Sequence, residues 1–292
     1  MVIQTLNDTL FADSGITVDA LRLDLIHPQV SGNKWFKLKY PLISALSTGK
    51  KGMLSFGGAY SNHLVAMAFA CRENGLESMA IIRGDDPQMS NPSLQQMREY
   101  GMKLVFVPRE AYRHKEKLTG QYLEKNPEYY YVPEGGQSED GIKGASEILQ
   151  PGHNEYTDII CAVGTGTTIA GIVNASATPQ KITGICSLKI PDKSENALLN
   201  FIKTNTVRNN FRLLSDYHFG GYARKNDLLI TFMNELYLKE NIPTDFVYTG
   251  KLFFAVYDLA RKKYFAEGSK VLIIHSGGLQ GNRSLEKGIL KF

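Results

Sequence analysis

From Lys51 onward the chain alternates short apolar runs with longer stretches of helical period, and that alternation leaves few folds open. Strands are predicted over 52–56, 78–83, 103–107, 129–132, 158–163, 181–187, 211–214 and 270–275. Apolar residues at spacings of three and four predict helices over 62–73, 91–100, 139–149, 226–239 and 252–265. A strand that is apolar throughout needs cover on both faces, and helices between such strands supply it. An α/β fold follows, with open, twisted, mostly parallel sheets flanked by helices. Eight or so strands in 292 residues fit two sheets better than one. The early segment 16–25 alternates apolar with polar residues and reads as an antiparallel edge pair or a hairpin. The Pro-Glu-Gly-Gly run at 133–136 is either a return point between two domains or a plain loop.

Composition narrows the functional classes. With 43% hydrophobic and 21% charged residues the chain reads as globular, and no stretch approaches the ~18–20 apolar residues that cross a bilayer, so no membrane role is expected. Residues 1–8 show no basic region followed by an apolar core, which makes the cytoplasm the expected compartment. The net charge of +4 is spread along the chain without a dense basic stripe, so nucleic acid is not an expected partner. Cys71, Cys161 and Cys186 are odd in number and far apart, which suits small apolar residues better than a disulfide framework or a zinc site. His-Glu-x-x-His, Gly-x-Ser-x-Gly and Cys-x-x-Cys are missing and the six histidines are dispersed, so no metal is expected.

In parallel α/β folds ligands sit at the carboxyl ends of the strands. The strand at 158–163 runs into Gly164, Thr165, Gly166, Thr167 and Thr168, with a helix following. Closely spaced glycines let backbone N–H groups converge on an anion, and the threonines and helix start add donors, so the loop is either a phosphate site or an ordinary tight turn. A dinucleotide reading needs an acidic residue at the end of the next strand, which instead reads Cys186-Ser187-Leu188-Lys189, and no Gly-Lys-Ser/Thr closes a P-loop. A lone phosphomonoester is what remains.

Three further segments end strands or start helices. Ser31-Gly32-Asn33-Lys34-Trp35-Phe36 sets Lys34 beside two aromatic residues at a helix start, where desolvation would lower its pKa, although an isolated lysine is ordinarily a surface charge. Gly57-Gly58-Ala59-Tyr60-Ser61-Asn62-His63 is a glycine turn into a helix. Ser61 and Asn62 either cap that helix or grip a substrate carboxylate, and His63 reads as a core histidine before it reads as a base. His275-Ser276-Gly277-Gly278 brings a hydroxyl to a strand's end, as a cap or as the partner of a buried ring nitrogen. Tyr222 and Tyr248 lie in glycine-containing turns, where a core tyrosine is the usual explanation.

Taken in order, Gly-Asn-Lys, Gly-Gly-x-x-Ser-Asn-His, the Gly/Thr loop, Tyr-Thr-Gly-Lys and His-Ser-Gly-Gly span residues 31 to about 281 and closely resemble the 1-aminocyclopropane-1-carboxylate deaminase and D-cysteine desulfhydrase family, within the tryptophan-synthase-β-like enzymes. The resemblance implies pyridoxal 5'-phosphate as cofactor, a small amino-acid substrate and a homodimer. It implies a large cofactor-binding domain over 1–40 and 135–292 and a small domain over 41–134. Lys34 would carry the cofactor as a Schiff base and shuttle protons, Asn62 would meet the phenolic oxygen, and Gly164, Thr165, Gly166, Thr167 and Thr168 would hold the phosphate. Ser276 would bond the pyridine nitrogen, Tyr248 would pack at the ring, and Ser61, Asn62, His63 and Tyr222 would face the substrate. Deaminases of the family carry glutamate after the Val-Tyr pair, whereas Thr249 stands here, which points to D-cysteine as substrate, with 1-aminocyclopropane-1-carboxylate as the alternative.

The chain is shorter than typical members and departs from the family pattern at Phe36, Lys39, Tyr60 and Val65, which stand for arginine, glutamate, glutamine and arginine. Each is expected to alter a group near the cleft. They also leave open a cofactor-binding protein with little catalytic activity.

Overall fold

The computed structural model describes residues 1–85, 91–189 and 192–292, with the backbone alone for 192–195. The strands are β1 (Ile3–Thr5), β2 (Thr17–Arg22), β3 (Gly52–Gly57), β4 (Glu77–Arg83), β5 (Met102–Val107), β6 (Tyr129–Tyr131), β7 (Asp158–Val163), β8 (Lys181–Cys186), β9 (Phe211–Leu214) and β10 (Lys270–His275). The helices are α1 (Thr9–Asp13), α2 (Asn33–Ser47), α3 (Asn62–Glu73), α4 (Pro92–Glu99), α5 (Arg109–Tyr112), α6 (Lys115–Lys125), α7 (Glu139–Ser146), α8 (Thr167–Ala175), α9 (Asp192–Thr204), α10 (Asp227–Glu240) and α11 (Thr249–Arg261).

Two sheets form, as the strand count predicts. One has six strands in the order β1-β2-β10-β7-β8-β9, the other four in the order β5-β4-β3-β6, and every pairing is parallel except β1 with β2. Alternate residues of each inner strand feed opposite cores. Ile160, Val271 and Ile273 face one side of the larger sheet with Phe253 and Val256 of α11, while Ile159, Cys161, Leu272 and Ile274 face the other with Ile169 and Ile172 of α8. In the smaller sheet Met53 packs with α3 and α4, and Leu54 and Phe56 pack with Tyr112. Burial on both faces is why these strands are apolar runs without polar alternation.

All eight predicted strands and all five predicted helices are present, with ends shifted by a few residues. The segment 16–25 is corrected in part. β2 does pair antiparallel, with β1, but it is an inner strand whose other side pairs parallel with β10, and Leu23–Leu25 is a short 3-10 turn. Its alternation reflects one face against the core and Asp19 turned to the Tyr156 hydroxyl, which donates to Oδ2 at 2.7 Å. Among the described residues no helix is long and apolar enough to cross a membrane.

Candidate active site

A cavity of about 670 Å³ opens where the carboxyl ends of both sheets meet. Its wall includes Lys34, Ser61, Asn62, His63, Gly164, Thr165, Gly166, Thr168, Tyr222, Tyr248 and Ser276, so residues scattered from 34 to 276 converge on one space. Thr167 is the exception among the predicted site residues. Its side chain is fully buried outside the wall, with Oγ1 3.0 Å from Thr165 Oγ1, where it braces the turn from behind.

Lys34 is the second residue of α2, and Gly32 before it adopts φ +68°. A Cβ at Gly32 would fall on the Ser276 carbonyl, so glycine is what allows the helix start to press against the turn after β10. Burial lowers the Lys34 pKa to about 8, although the Asp245 carboxylate pulls it back up. Its Nζ donates to Asn33 Oδ1 at 2.8 Å, and Asn33 Nδ2 donates to Thr168 Oγ1 at 2.8 Å. One amide thus spans the reach between the amine and the turn from Gly164 to Thr168. Gly166, at φ +86°, precedes α8, and a Cβ there would run into Leu198, Phe201 and Ile202 of α9, while the Tyr248 ring rests on Gly164.

On the opposite wall Ser61 caps α3, its Oγ accepting Leu64 N–H at 3.3 Å. Asn62 Nδ2 donates to Gly278 O at 3.2 Å, and its Oδ1 is buried without a partner. His63 is a buried histidine whose Nε2 lies 3.0 Å from Ser55 Oγ and whose Nδ1 has no partner, and burial, with the charges of Lys34 and Lys37, holds its pKa well below the usual value. Buried polar atoms left unpaired in a cavity wall call for a polar ligand. Tyr222 is no core tyrosine, since it is 50% exposed and meets Tyr248 edge-on at 6.4 Å.

Several residues of this region carry no motif of their own. Lys37 is buried in the wall three residues after Lys34, and burial and the Lys34 charge drive its pKa well down. Asp245 is fully buried; Oδ2 accepts the Val247 and Tyr248 N–H groups at 2.9 Å and Oδ1 accepts the Thr249 N–H at 2.9 Å and its hydroxyl at 2.8 Å. Burial raises its pKa and those bonds oppose the rise. An aspartate just ahead of a helical run is a capping signature, and that was its available signal.

The four departures from the family pattern do not all touch the cavity. Tyr60 lines it. Phe36 is buried against the larger sheet, Val65 is buried in the core of the smaller one, and Lys39 pairs with Glu147 at 2.7 Å on the surface. Expecting all four near the cleft is therefore wrong for three, because neighbours along a helix point to different faces.

Residues 20–277 match the protein family described as pyridoxal-phosphate dependent enzyme. The chain belongs to that family. Within it the chain falls among the 1-aminocyclopropane-1-carboxylate deaminase and D-cysteine desulfhydrase proteins. A Pyrococcus horikoshii protein provisionally named a 1-aminocyclopropane-1-carboxylate deaminase is 30% identical over 91% of this chain and 86% of its own. An Arabidopsis thaliana protein named bifunctional D-cysteine desulfhydrase/1-aminocyclopropane-1-carboxylate deaminase, mitochondrial, is 28% identical over 89% of this chain and 72% of its own. A crystal structure described as an ACC deaminase homologue superposes with a TM-score of 0.82 at 26% identity, covering 96% of this chain and 90% of that one. Pyridoxal phosphate is the cofactor of the family, and the residues present fit it: a desolvated amine, a glycine turn at a helix start, and unpaired polar atoms on the facing wall.

Proposed function

We propose that the protein is a D-cysteine desulfhydrase that yields pyruvate, ammonia and sulfide by β-elimination. The observation that carries this reading is Thr249. Its hydroxyl is fully buried between Asp245 Oδ1 and Asp245 N, each at 2.8 Å, so the position after Tyr248 offers the cavity no carboxylate such as the deaminases carry. The names of the Arabidopsis relative and of a Klebsiella pneumoniae relative, D-cysteine desulfhydrase, 24% identical over 85% of this chain and 83% of its own, support it.

When bound, the cofactor supplies an aldehyde that captures the substrate amine and a ring that draws electrons from its α-carbon. Lys34 would be its covalent anchor, Gly164, Thr165, Gly166 and Thr168 would hold the phosphate with Thr167 bracing the turn behind them, Asn62 would meet the phenolic oxygen, and Tyr248 would pack at the ring. A neutral Ser276 hydroxyl at the pyridine nitrogen would not hold a proton there as a carboxylate would, which would favour elimination over transamination. The Ser61 hydroxyl and the backbone N–H groups of Asn62 and His63 at the start of α3 would grip the substrate carboxylate, with Tyr222 also facing the substrate. Lys34 Nζ, with its pKa drawn down to about 8, takes the α-proton as the β-carbon releases its thiolate. The same reading assigns 1–40 and 135–292 to a larger, cofactor-holding domain and 41–134 to a smaller one, in a cytoplasmic homodimer.

A second reading, 1-aminocyclopropane-1-carboxylate deaminase, is favoured by the Pyrococcus relative and the superposed crystal structure. Purified holoenzyme incubated with D-cysteine, L-cysteine, D-serine and 1-aminocyclopropane-1-carboxylate separates the two. Pyruvate and sulfide from D-cysteine are expected. Oxobutyrate from the cyclopropane substrate alone would establish the second reading, and no turnover of any would leave a cofactor-binding protein.

A further inference from the structure

Lys251 lies three residues beyond Tyr248 on α11, is fully buried, and forms no part of the cavity wall. Its Nζ donates to three backbone carbonyls, Ser187 O at 3.1 Å, His218 O at 2.8 Å and Gly221 O at 2.8 Å. Three carbonyls converging on one positive charge is how proteins coordinate a monovalent cation, and here the chain supplies the cation itself. Burying an ammonium is expensive, and a methionine would fill the space at less cost if packing were the only demand. Burial accordingly lowers the Lys251 pKa to about 8, with Asp245 opposing the shift.

Two of the three bonded carbonyls lead directly into the cavity wall. Ser187 is followed by Leu188 and Lys189, and Gly221 by Tyr222 and Ala223, all of which line the cavity. The loop that carries Tyr222 is otherwise held at its start, where the Tyr217 hydroxyl donates to Asp258 Oδ2 at 2.7 Å and Phe219 meets Phe254 edge-on at 4.9 Å. Phe219, Gly220, Gly221 and Ala223 all have positive φ, and its internal backbone bonds are Gly221 N to His218 O at 3.0 Å and Arg224 N to Gly221 O at 3.2 Å. Tyr222 itself is half exposed and leans on Tyr248 alone among aromatic rings.

We propose that Lys251 is a positioning residue, a built-in cation that ties the Tyr222 loop and the end of β8 to α11 and so fixes where Tyr222 meets the substrate. This rests on the reading that Tyr222 faces the substrate. The test compares wild-type holoenzyme with K251M, Y222F and the double variant, using D-cysteine and 1-aminocyclopropane-1-carboxylate as probes and following amide hydrogen exchange over residues 217–224. K251M is expected to exchange faster over that segment, to keep the cofactor's absorption band, and to lose about 10- to 100-fold in kcat/KM, the scale of one buried charged hydrogen-bond partner. The double variant is expected to lose no more than the worse single variant. Ammonium or potassium chloride, with tetramethylammonium chloride as the control too bulky to enter, is expected to restore K251A, whose short side chain vacates the space, and to leave Y222F unchanged. Unchanged exchange over 217–224 in K251M, or losses that add in the double variant, would overturn the proposal. Faster exchange with full activity in both K251M and Y222F would uphold the clamp and remove the reading of Tyr222 as substrate-facing. Should K251M not fold, K251Q, a neutral donor of similar reach, carries the same comparison.

Discussion

The Ser276 carbonyl accepts the Asn33 N–H at 3.2 Å and occupies the space that a Cβ on Gly32 would need. The helix that presents Lys34 and the turn that presents Ser276 therefore touch backbone to backbone. G32A would both strain a residue at φ +68° and push these two segments apart. A loss of about 2–4 kcal/mol is expected from the urea midpoint, together with reduced cofactor content in the purified protein.

Replacing Lys34 by methionine removes the proposed anchor and base. Activity is expected to fall by at least about 10²–10⁴-fold, and borohydride reduction followed by peptide mapping should label Lys34 in the wild type and nothing in K34M. The cofactor-free proteins carry a second signature. The Lys34 pKa is about 8 when folded and 10.5 in the reference state, so below about 8 the folded protein bears the whole cost of burying the charge. Between about 8 and 10.5 the unfolded chain binds more protons, and the stability contributed by this group rises with pH. K34M should therefore exceed the wild type in urea midpoint near neutral pH, with the margin shrinking as pH climbs through that window.

Asp245 raises the Lys34 pKa against the pull of burial. D245N should accordingly move the ionisation of the amine to lower pH. The rate at which pyridoxal 5'-phosphate loads onto cofactor-free protein, which follows the neutral amine, should reach its half-maximum near pH 8 in the wild type and below that in D245N. An unmoved midpoint would mean that the carboxylate does not act on Lys34.

T249V keeps the shape of the side chain and strips both hydroxyl contacts with Asp245, leaving the buried Asp245 N–H without its partner at 2.8 Å. A loss of about 1–3 kcal/mol in chemical denaturation is expected.

How much was legible in advance depended on where each partner lies along the chain. The inner strands could be read because burial on both faces makes them continuous apolar runs. β1 has three residues at a sheet edge, and α6 has no buried residue among those described, so neither carries a periodic signature. The inner position of β2 was hidden because β10, its parallel neighbour, is encoded at the far end of the chain. Lys34 and the 164–168 turn could be singled out through the order of short motifs, each weak alone. Lys251 appears there only as the end of Tyr-Thr-Gly-Lys, since its partners are loop carbonyls that any sequence would supply. The depressed pKa of Lys37 likewise comes from a three-dimensional neighbourhood that spacing cannot register.

The bridge from Lys34 through Asn33 to Thr168 joins the starts of α2 and α8, whereas Tyr60, Ser61, Asn62 and His63 belong to the loop and helix after β3 of the smaller sheet. On the proposed roles, retention and selectivity lie on largely separate stretches of backbone, with Asn62 shared between them. Variation at Tyr60 and Ser61 would then change which amino acid is admitted while the prosthetic group stays moored, so a lineage could explore new chemistry without first becoming an empty protein.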